Sequence, residues 1–442
     1  MNTPIIPLFL RPPAFKHDDM PFQGDAFERA ELAKRLTGFL TRLPDGGVIA
    51  IDAPWGEGKT WFGRHWHASL LNEKYRTIYI DCFQRDYVED PFLMIAGELV
   101  ELTKLNKSKT VGSLLKTGTK LGATLLPTAA KIAVNSAGHW LLGKTDLADD
   151  LAKAISDLEN DAASKLEDLI SKRLSSYEDD KKTVENFKDT LEEFSKEKEE
   201  PVIIFLDELD RCRPDFAVKT VERIKHFFEV PGIVFVLLMN RKQLAAAVEG
   251  IYGSRIDSNA YLAKFVQLSL NLPKKLGAEE HSPDDNKKHC EATLSRYRLL
   301  GPSGRSDFVS DFGSIATLLK MSLRDVENGV ALYSFAHPLN QSEVVAAWPI
   351  ALKIHNPDLF RRVSHHEIEA HKEAGQLAKH LKSRNVANPW IFDIFIALHA
   401  CGLGDFQTQL SDEANQFVNG QGRWKNPKTY MSWLFSRFDL NV

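Results

Sequence analysis

Apolar and polar residues alternate along this chain in two rhythms, one helical and one of short unbroken runs. From Asp25 to Leu40, Phe27, Ala30, Leu32, Ala33 and Leu36 recur at helical spacing, which predicts an amphipathic helix with Asp25 as its N-cap. The turn residues Pro44-Asp45-Gly46-Gly47 close it. Val48-Ile49-Ala50-Ile51 is short, apolar and β-branched and predicts a strand, followed by a glycine-containing loop and a new helical pattern from Lys59. Thr77-Ile78-Tyr79-Ile80-Asp81 predicts the next strand. Strands separated by a helix point to βαβ units and a parallel sheet.

The strand rhythm then pauses for about a hundred residues. Leu147, Leu151, Ile155, Leu158, Ala162, Leu166 and Leu169 recur at three or four with charges between them, predicting a long helix with a solvated face, and a partner helix begins near Val184, Phe187, Leu191 and Phe194. Within the same insertion, Leu121–Gly143 is apolar enough to resemble a membrane span of about 20 residues. Pro127, Lys131, Asn135, Ser136 and His139 interrupt it, and a central lysine costs about 2.5–3.5 kcal/mol in a bilayer. It reads as a helical hairpin packed on the protein body, with membrane-surface contact as the alternative.

Strands are expected again at Val202–Leu206, Ile233–Leu238 and Val266–Leu272, all three buried on both faces of the sheet; the first two are continuous apolar runs, the pattern of strands covered on both sides. Lys274 to Arg305 is polar and loop-like, and the remainder reads as helices. The fold class predicted is α/β, a mostly parallel five-stranded sheet with a long helical insertion and an all-α C-terminal part. The expected organisation is an N-terminal arm (1–24), a split core (25–105 and 198–274), the insertion (106–197), a linker with lid-like helices (275–335) and a C-terminal helical domain (336–442).

Composition narrows the function classes. With 442 residues, 43% apolar and 26% charged, the chain is long enough for two or three domains and is neither fibrous nor mainly disordered. Lys and Arg number 56 against 60 Asp and Glu, a formal charge of −4, so no global basic field indicates nucleic acid. Four scattered cysteines without a CxxC pair disfavour a zinc site or a disulfide framework. The proline-rich stretch Met1–Pro13 lacks the order of a secretory signal and reads as an extended arm. A cytoplasmic location is expected.

The chemistry concentrates at strand ends. Ala53-Pro54-Trp55-Gly56-Glu57-Gly58-Lys59-Thr60 fits the phosphate-binding loop pattern with Ala in place of the first Gly, and it lies between a strand and a helix as that motif requires. Gly56 and Gly58 let backbone N–H groups wrap a polyphosphate, Lys59 reaches its β/γ oxygens, and the Thr60 hydroxyl can ligate magnesium. Trp55 through Thr60, with Trp61, form the expected nucleotide-contacting stretch. A strand ending in Asp207-Glu208 supplies the required carboxylates, Asp207 for hydrated magnesium and Glu208 to polarise the attacking water. Asp210 could back up either role or lie exposed in a turn. Asn240, after the next strand, could hydrogen-bond the γ-phosphate or the water, or serve only as a turn residue.

Arg211 and Arg213, and Lys264 and Arg255, are cations that could sense phosphate or reach a neighbouring subunit's nucleotide, or be merely solvated. Ser322 and Asp325 form an imperfect capping box around Arg324. A cation in a first helical turn opposes the macrodipole by about 0.3 kcal/mol or more, so Arg324 needs a partner, either Asp325, another carboxylate or a nucleotide phosphate. His365-His366-Glu367 with His371 imitates a zinc-protease helix, but a spacing of five puts the two histidines on different faces. Trp348, Trp390, Phe392 and Phe395 read as core.

Trp55-Gly56-Glu57-Gly58-Lys59-Thr60, Asp207-Glu208-Leu209-Asp210-Arg211-Cys212, and Tyr261-Leu262-x-Lys264-Phe265 leading to Leu272-Pro273 together resemble the KAP family of P-loop NTPases. Asp25-x-x-x-Arg29 and Tyr79-Ile80-Asp81-Cys82-Phe83 support the match, which spans roughly residues 25–335. The resemblance implies an additional-strand, AAA+/STAND-related ATPase with a helical insertion between loop and carboxylate strand, often carrying membrane helices. It also implies ATP (or ADP) and Mg as cofactors, and phage exclusion or defence as a setting. Two departures stand out: the family commonly has a second aspartate at the position of Glu208, and an aspartate at that of Asn240. The expected function is Mg-dependent ATP hydrolysis driving a conformational change, with a protein effector or a second copy of the chain as partner. A non-hydrolysing nucleotide switch and a membrane-associated regulator are the alternatives.

Overall fold

The computed structural model describes residues 20–88, 90–114, 116, 185–225, 230–274, 283–297, 299, 306–336, 343–384, 389–402, 412, 434–436 and 438. The predicted arm Met1–Pro13, the Leu121–Gly143 segment, the Leu147–Leu169 helix and Val184 lie outside them. The chain divides into two compact units, Ala33–Ala53 with Lys59–Asn271, and Met1–Leu32 with Pro54–Gly58 and Leu272–Val442.

The first unit is built on five strands, β1 (Gly47–Asp52), β2 (Thr77–Asp81), β3 (Val202–Asp207), β4 (Ile233–Met239) and β5 (Leu268–Asn271), in the order β2-β3-β4-β1-β5. All four pairings are parallel, with Tyr79 opposite Phe205, Ile204 opposite Phe235, and Ile49 opposite both Val236 and Leu268. Every residue of β3 and β4 is buried, as their unbroken apolar runs predicted. The expectation fails for β5, whose residues alternate between half-buried and exposed. The exposed positions are the polar Ser269 and Asn271, which alternate with Leu268 and Leu270 and put one face of the strand toward solvent; among the described residues β5 pairs with β1 alone. It is also shorter than Val266–Leu272, because the Val266 N–H turns back to the Leu262 carbonyl.

Helix α1 (Arg29–Leu40) starts four residues after the expected Asp25. Glu28 has φ 59°, outside the helical region, and the Asp25 carboxylate instead accepts from the N–H groups of Phe27 and Ala30 at 3.1 and 2.8 Å, one turn ahead of a true cap. Helix α2 (Lys59–Asn72) crosses from β1 to β2 and seats Trp66 edge-on to Phe205, the ring centroids 5.1 Å apart. Helix α3 (Pro91–Leu105) packs with a helical segment at 185–195 through Phe92 and Phe187, and Phe187, Leu191 and Phe194 are all buried as their spacing predicted. Buried Arg76 donates to the carbonyls of Ser195 and Glu200 at 2.7 and 2.9 Å, satisfying backbone acceptors beyond that segment's end. Helices α4 (Pro214–Ile224), α5 (Arg241–Tyr252) and α6 (Ser258–Leu262) complete this unit among the described residues.

The second unit gathers α7 (Pro283–Arg296), α8 (Asp307–Leu318), α9 (Leu323–Ala336), α10 (Glu343–His355), α11 (Pro357–Ser364), α12 (Ile368–Arg384) and α13 (Pro389–Gly402) around one core. Helix α7 corrects the loop-like reading of Lys274–Arg305. Its buried face is Asp285, Asn286, Cys290, Thr293 and Leu294, three of the five polar, so it leaves too few apolar positions for a helical stripe to show. Trp348, Phe392 and Phe395 are fully buried and Trp390 packs against them, as expected of core.

His371 belongs to this core. The Trp348 Nε1–H donates to His399 Nε2 at 2.8 Å, so the His399 proton sits on Nδ1, 3.2 Å from His371 Nδ1. Burial, with each ring also opposed by a neighbouring histidine, lowers His399 to about 3 and His371 to about 4. Unfolded histidine takes up protons near pH 6.5 while these folded rings do not, so stability is expected to fall as the pH drops from about 6.5 toward 4. Thermal melts across that range, compared with His371→Gln, check the sign; a wild-type melting temperature flat across the range would contradict it.

Candidate functional site

Parallel strands deliver their C-terminal residues to one edge, and in the first unit that edge carries the expected chemistry. Lys59 opens α2, 8% exposed, and donates from Nζ to the Ala53 carbonyl at 2.7 Å. Burial lowers its pKa, opposed by four carboxylates, Asp210, Asp207, Glu208 and Asp52. The Thr60 hydroxyl donates to Glu208 Oε1 at 2.9 Å, which brings the loop and the end of β3 together. The Trp61 ring lies tilted against His65, their centroids 4.2 Å apart.

Asp207 is 1% exposed, and burial pushes its carboxyl up to about 6. Its oxygens accept from the Tyr79 hydroxyl at 2.6 Å and from the Glu208 N–H at 2.9 Å. Glu208 stands in the left-handed region (φ 61°, ψ 23°), a conformation that costs a non-glycine residue about 1 kcal/mol and is found disproportionately at functional sites. Its second carboxylate oxygen pairs with Arg211 Nε at 2.6 Å. Asn240, at the end of β4 and 9% exposed, makes no capping bond to α5, so turn capping does not occupy its carboxamide. Asp52 instead receives the Arg241 N–H at 2.9 Å.

The preceding loop residues, Pro54–Gly58, belong to the second unit. Gly56 (φ 85°) and Gly58 (φ 80°) take conformations that disfavour side chains, and a Cβ on Gly56 would lie 2.5 Å from Ser322 Oγ and 2.9 Å from Arg324 Cβ. Trp55 is 44% exposed. The Arg324 N–H donates to the Gly56 carbonyl at 3.1 Å, fixing the start of α9 against the loop. Ser322 and Asp325 form the capping box reciprocally: Ser322 N–H and Oγ–H reach Asp325 Oδ2 at 2.9 and 2.8 Å, and Asp325 N–H returns to Ser322 Oγ at 3.2 Å. Asp325 is thereby committed to the cap, and among the described residues no carboxylate pairs with the exposed Arg324 guanidinium.

Of the other cations, Arg213 donates to the Asp86 carbonyl at 2.6 Å, Lys264 lies 5.7 Å from the Tyr261 ring centroid, and Arg255 is exposed. Asp210 sits in the turn after β3 and contributes to the field at Lys59. The sequence motifs assign no role to Tyr79, Asp52, Arg29 or Lys274. Tyr79 could have been found from its place near the end of a strand predicted to run toward the carboxylates; the others act through contacts distant in sequence.

The oxygen-only pair of Thr60 hydroxyl and Asp207 carboxylate suits a hard cation such as Mg²⁺, which takes one or two protein ligands and completes its shell with phosphate oxygens and water. Among the described residues no three His, Cys, Asp or Glu side chains gather as a metal cage, the His365–His371 region included.

A glycine loop between a strand and a helix, with one strand inserted between the loop strand and the carboxylate strand, defines a P-loop NTPase core. The chain belongs to the KAP family, whose P-loop domain matches residues 29–291. No curated protein matches it. Among solved structures, the Aeropyrum pernix ORC2 protein in its ADP form is 11% identical over 95% of this chain and 96% of that one, with a TM-score of 0.33. The same protein in its ADPNP-ADP complexes gives 10%, 96%, 96% and 0.33, and C. elegans PCH-2 gives 11%, 75%, 69% and 0.30. The fold assignment stands on the strand order and the family match. Among the described residues no helix is long and apolar enough to cross a membrane.

Proposed function

We propose that this chain binds ATP with magnesium and hydrolyses it to ADP and phosphate, using the cycle to change its own conformation. The observation that carries the reading is the cluster of Lys59, Thr60, Asp207 and Glu208, in which the Thr60–Glu208 hydrogen bond of 2.9 Å joins the loop to the carboxylates. Lys59 and the loop N–H groups bind the β/γ oxygens. Thr60 and Asp207 would hold the cation, which neutralises phosphate charge when bound. Glu208 accepts a hydrogen bond from water and orients it for in-line attack, and Asn240 contacts the γ-phosphate or that water.

A second reading is a nucleotide switch with very slow turnover, in which an effector protein or a second copy of the chain reads the bound state. It is favoured by the engagement of both Glu208 oxygens, one by Thr60 and one by Arg211. Steady-state phosphate release from the purified chain with Mg·ATP separates the two. Sustained release is expected; tightly retained nucleotide without release would select the switch. The family association with phage exclusion and defence leads us to place the activity in anti-phage protection.

A further inference from the structure

Arg29 is a buried cation of the second unit. It is 2% exposed and stands at the first position of α1, where the helix dipole opposes positive charge. Burial lowers its pKa to about 10, so it still carries its charge at neutral pH, and Glu57, Asp25 and Asp285 compensate it in that order. Its contacts explain its position. Nη2 donates to the Glu57 carbonyl at 3.0 Å and to the Pro273 carbonyl at 3.2 Å, and Nη1 lies 2.8 Å from where a Cβ on Gly58 would stand. The guanidinium therefore rests against the two residues that precede Lys59. Lys274 works beside it, 3.9 Å from the Glu57 carboxylate and bonded to Asn286 Oδ1 at 3.1 Å and the Met321 carbonyl at 3.3 Å.

A loop that binds phosphate through converging N–H groups must send its carbonyls elsewhere, because an oxygen facing the anion repels it. We propose that Arg29 is the positioning residue of the phosphate loop: by taking the Glu57 carbonyl it keeps that oxygen turned from the anion and holds the Glu57-Gly58 peptide in its binding shape. The inference rests on the nucleotide-binding reading above. Arg29 does not touch the nucleotide; it acts through the backbone of residues 57 and 58. Lysine is a poor replacement, since an ammonium on a flexible stem lacks the planar guanidinium, whose Nη2 serves both carbonyls while Nη1 rests against Gly58.

The test is Arg29→Met in the full chain, measured two ways. Titration with a fluorescent ADP is expected to show about tenfold weaker binding, the loss of a pre-organised site. Hydrogen exchange of peptides covering residues 54–60 is expected to speed up, with α8 and α9 still protected, which a general loss of structure would not produce. Unchanged affinity together with unchanged loop exchange overturns the proposal. If Arg29→Met does not fold, Arg29→Lys carries the same comparison: intermediate affinity and exchange support the proposal, and wild-type values in both overturn it. A wild-type chain that bound no nucleotide would remove the functional reading, while the exchange comparison would still decide whether Arg29 holds the loop.

Discussion

Glu208→Gln is expected to retain ATP and stop turning it over. The substitution keeps the shape and an acceptor for the Thr60 hydroxyl, so the loop stays joined to β3. It removes the negative charge that orients water and the ion pair with Arg211. Loss of a positioned base slows catalysis by roughly 100-fold or more, while binding through Lys59 and the loop amides is untouched, so affinity should stay within about threefold of wild type. Phosphate release and nucleotide retention on gel filtration measure both. Turnover at the parental rate would move the catalytic carboxylate elsewhere, with Asp210 the next candidate.

Lys59→Ala is expected to weaken nucleotide binding itself. Four carboxylates surround this one ammonium, and a polyphosphate arriving without it meets only negative charge at the end of β3. Removing one member of a buried charge cluster costs about 3 kcal/mol or more, which corresponds to about a 100-fold loss in nucleotide affinity. The free protein should be destabilised too, since Asp207, already pushed up to about 6 by burial, loses a compensating cation. Fluorescent-nucleotide titration and a denaturant melt read the two effects. In cells, the variant should lose any protection against phage, and full protection would detach the biological role from the nucleotide. Wild-type affinity in this variant would sink the loop assignment.

The parts of the fold legible in the sequence are those set by local pattern. Val202–Leu206 and Ile233–Leu238 read as buried strands because no polar residue interrupts them, and the glycine spacing before Lys59 announces its backbone before any contact is known. What escaped depends on partners distant in the chain. Helix α7 hid because its buried face includes Asn286 and Thr293. β5 is a different case: Ser269 and Asn271 alternate with Leu268 and Leu270, a period of two that marks one exposed face, so its partial burial is legible in the sequence. The Tyr79–Asp207 bond joins residues on β2 and β3, and Arg29 meets Pro273 from far along the chain, so neither left a trace in spacing. The Arg211–Glu208 pair, three residues apart, is within reach of the sequence, which leaves the arginine open to phosphate, a neighbouring subunit or solvent.

The strand order has a consequence for biosynthesis. β1 and β2 are made first, yet they are not neighbours: β1 pairs with β4 and β5, and β2 with β3. At about 5–20 residues per second, the roughly 220 residues from the end of β1 to the end of β5 take about 10–40 s to emerge from the ribosome. β2 waits for β3 and β1 for β4, and one edge of β1 stays open until β5 is made; such edges are templates for wrong pairing. Closing the sheet also requires contacts across a long stretch of chain, the class of event that slows folding most. Newly made chains should therefore depend on chaperones until Asn271 has been added, and truncations ending between β3 and β5 should aggregate rather than yield a smaller soluble core.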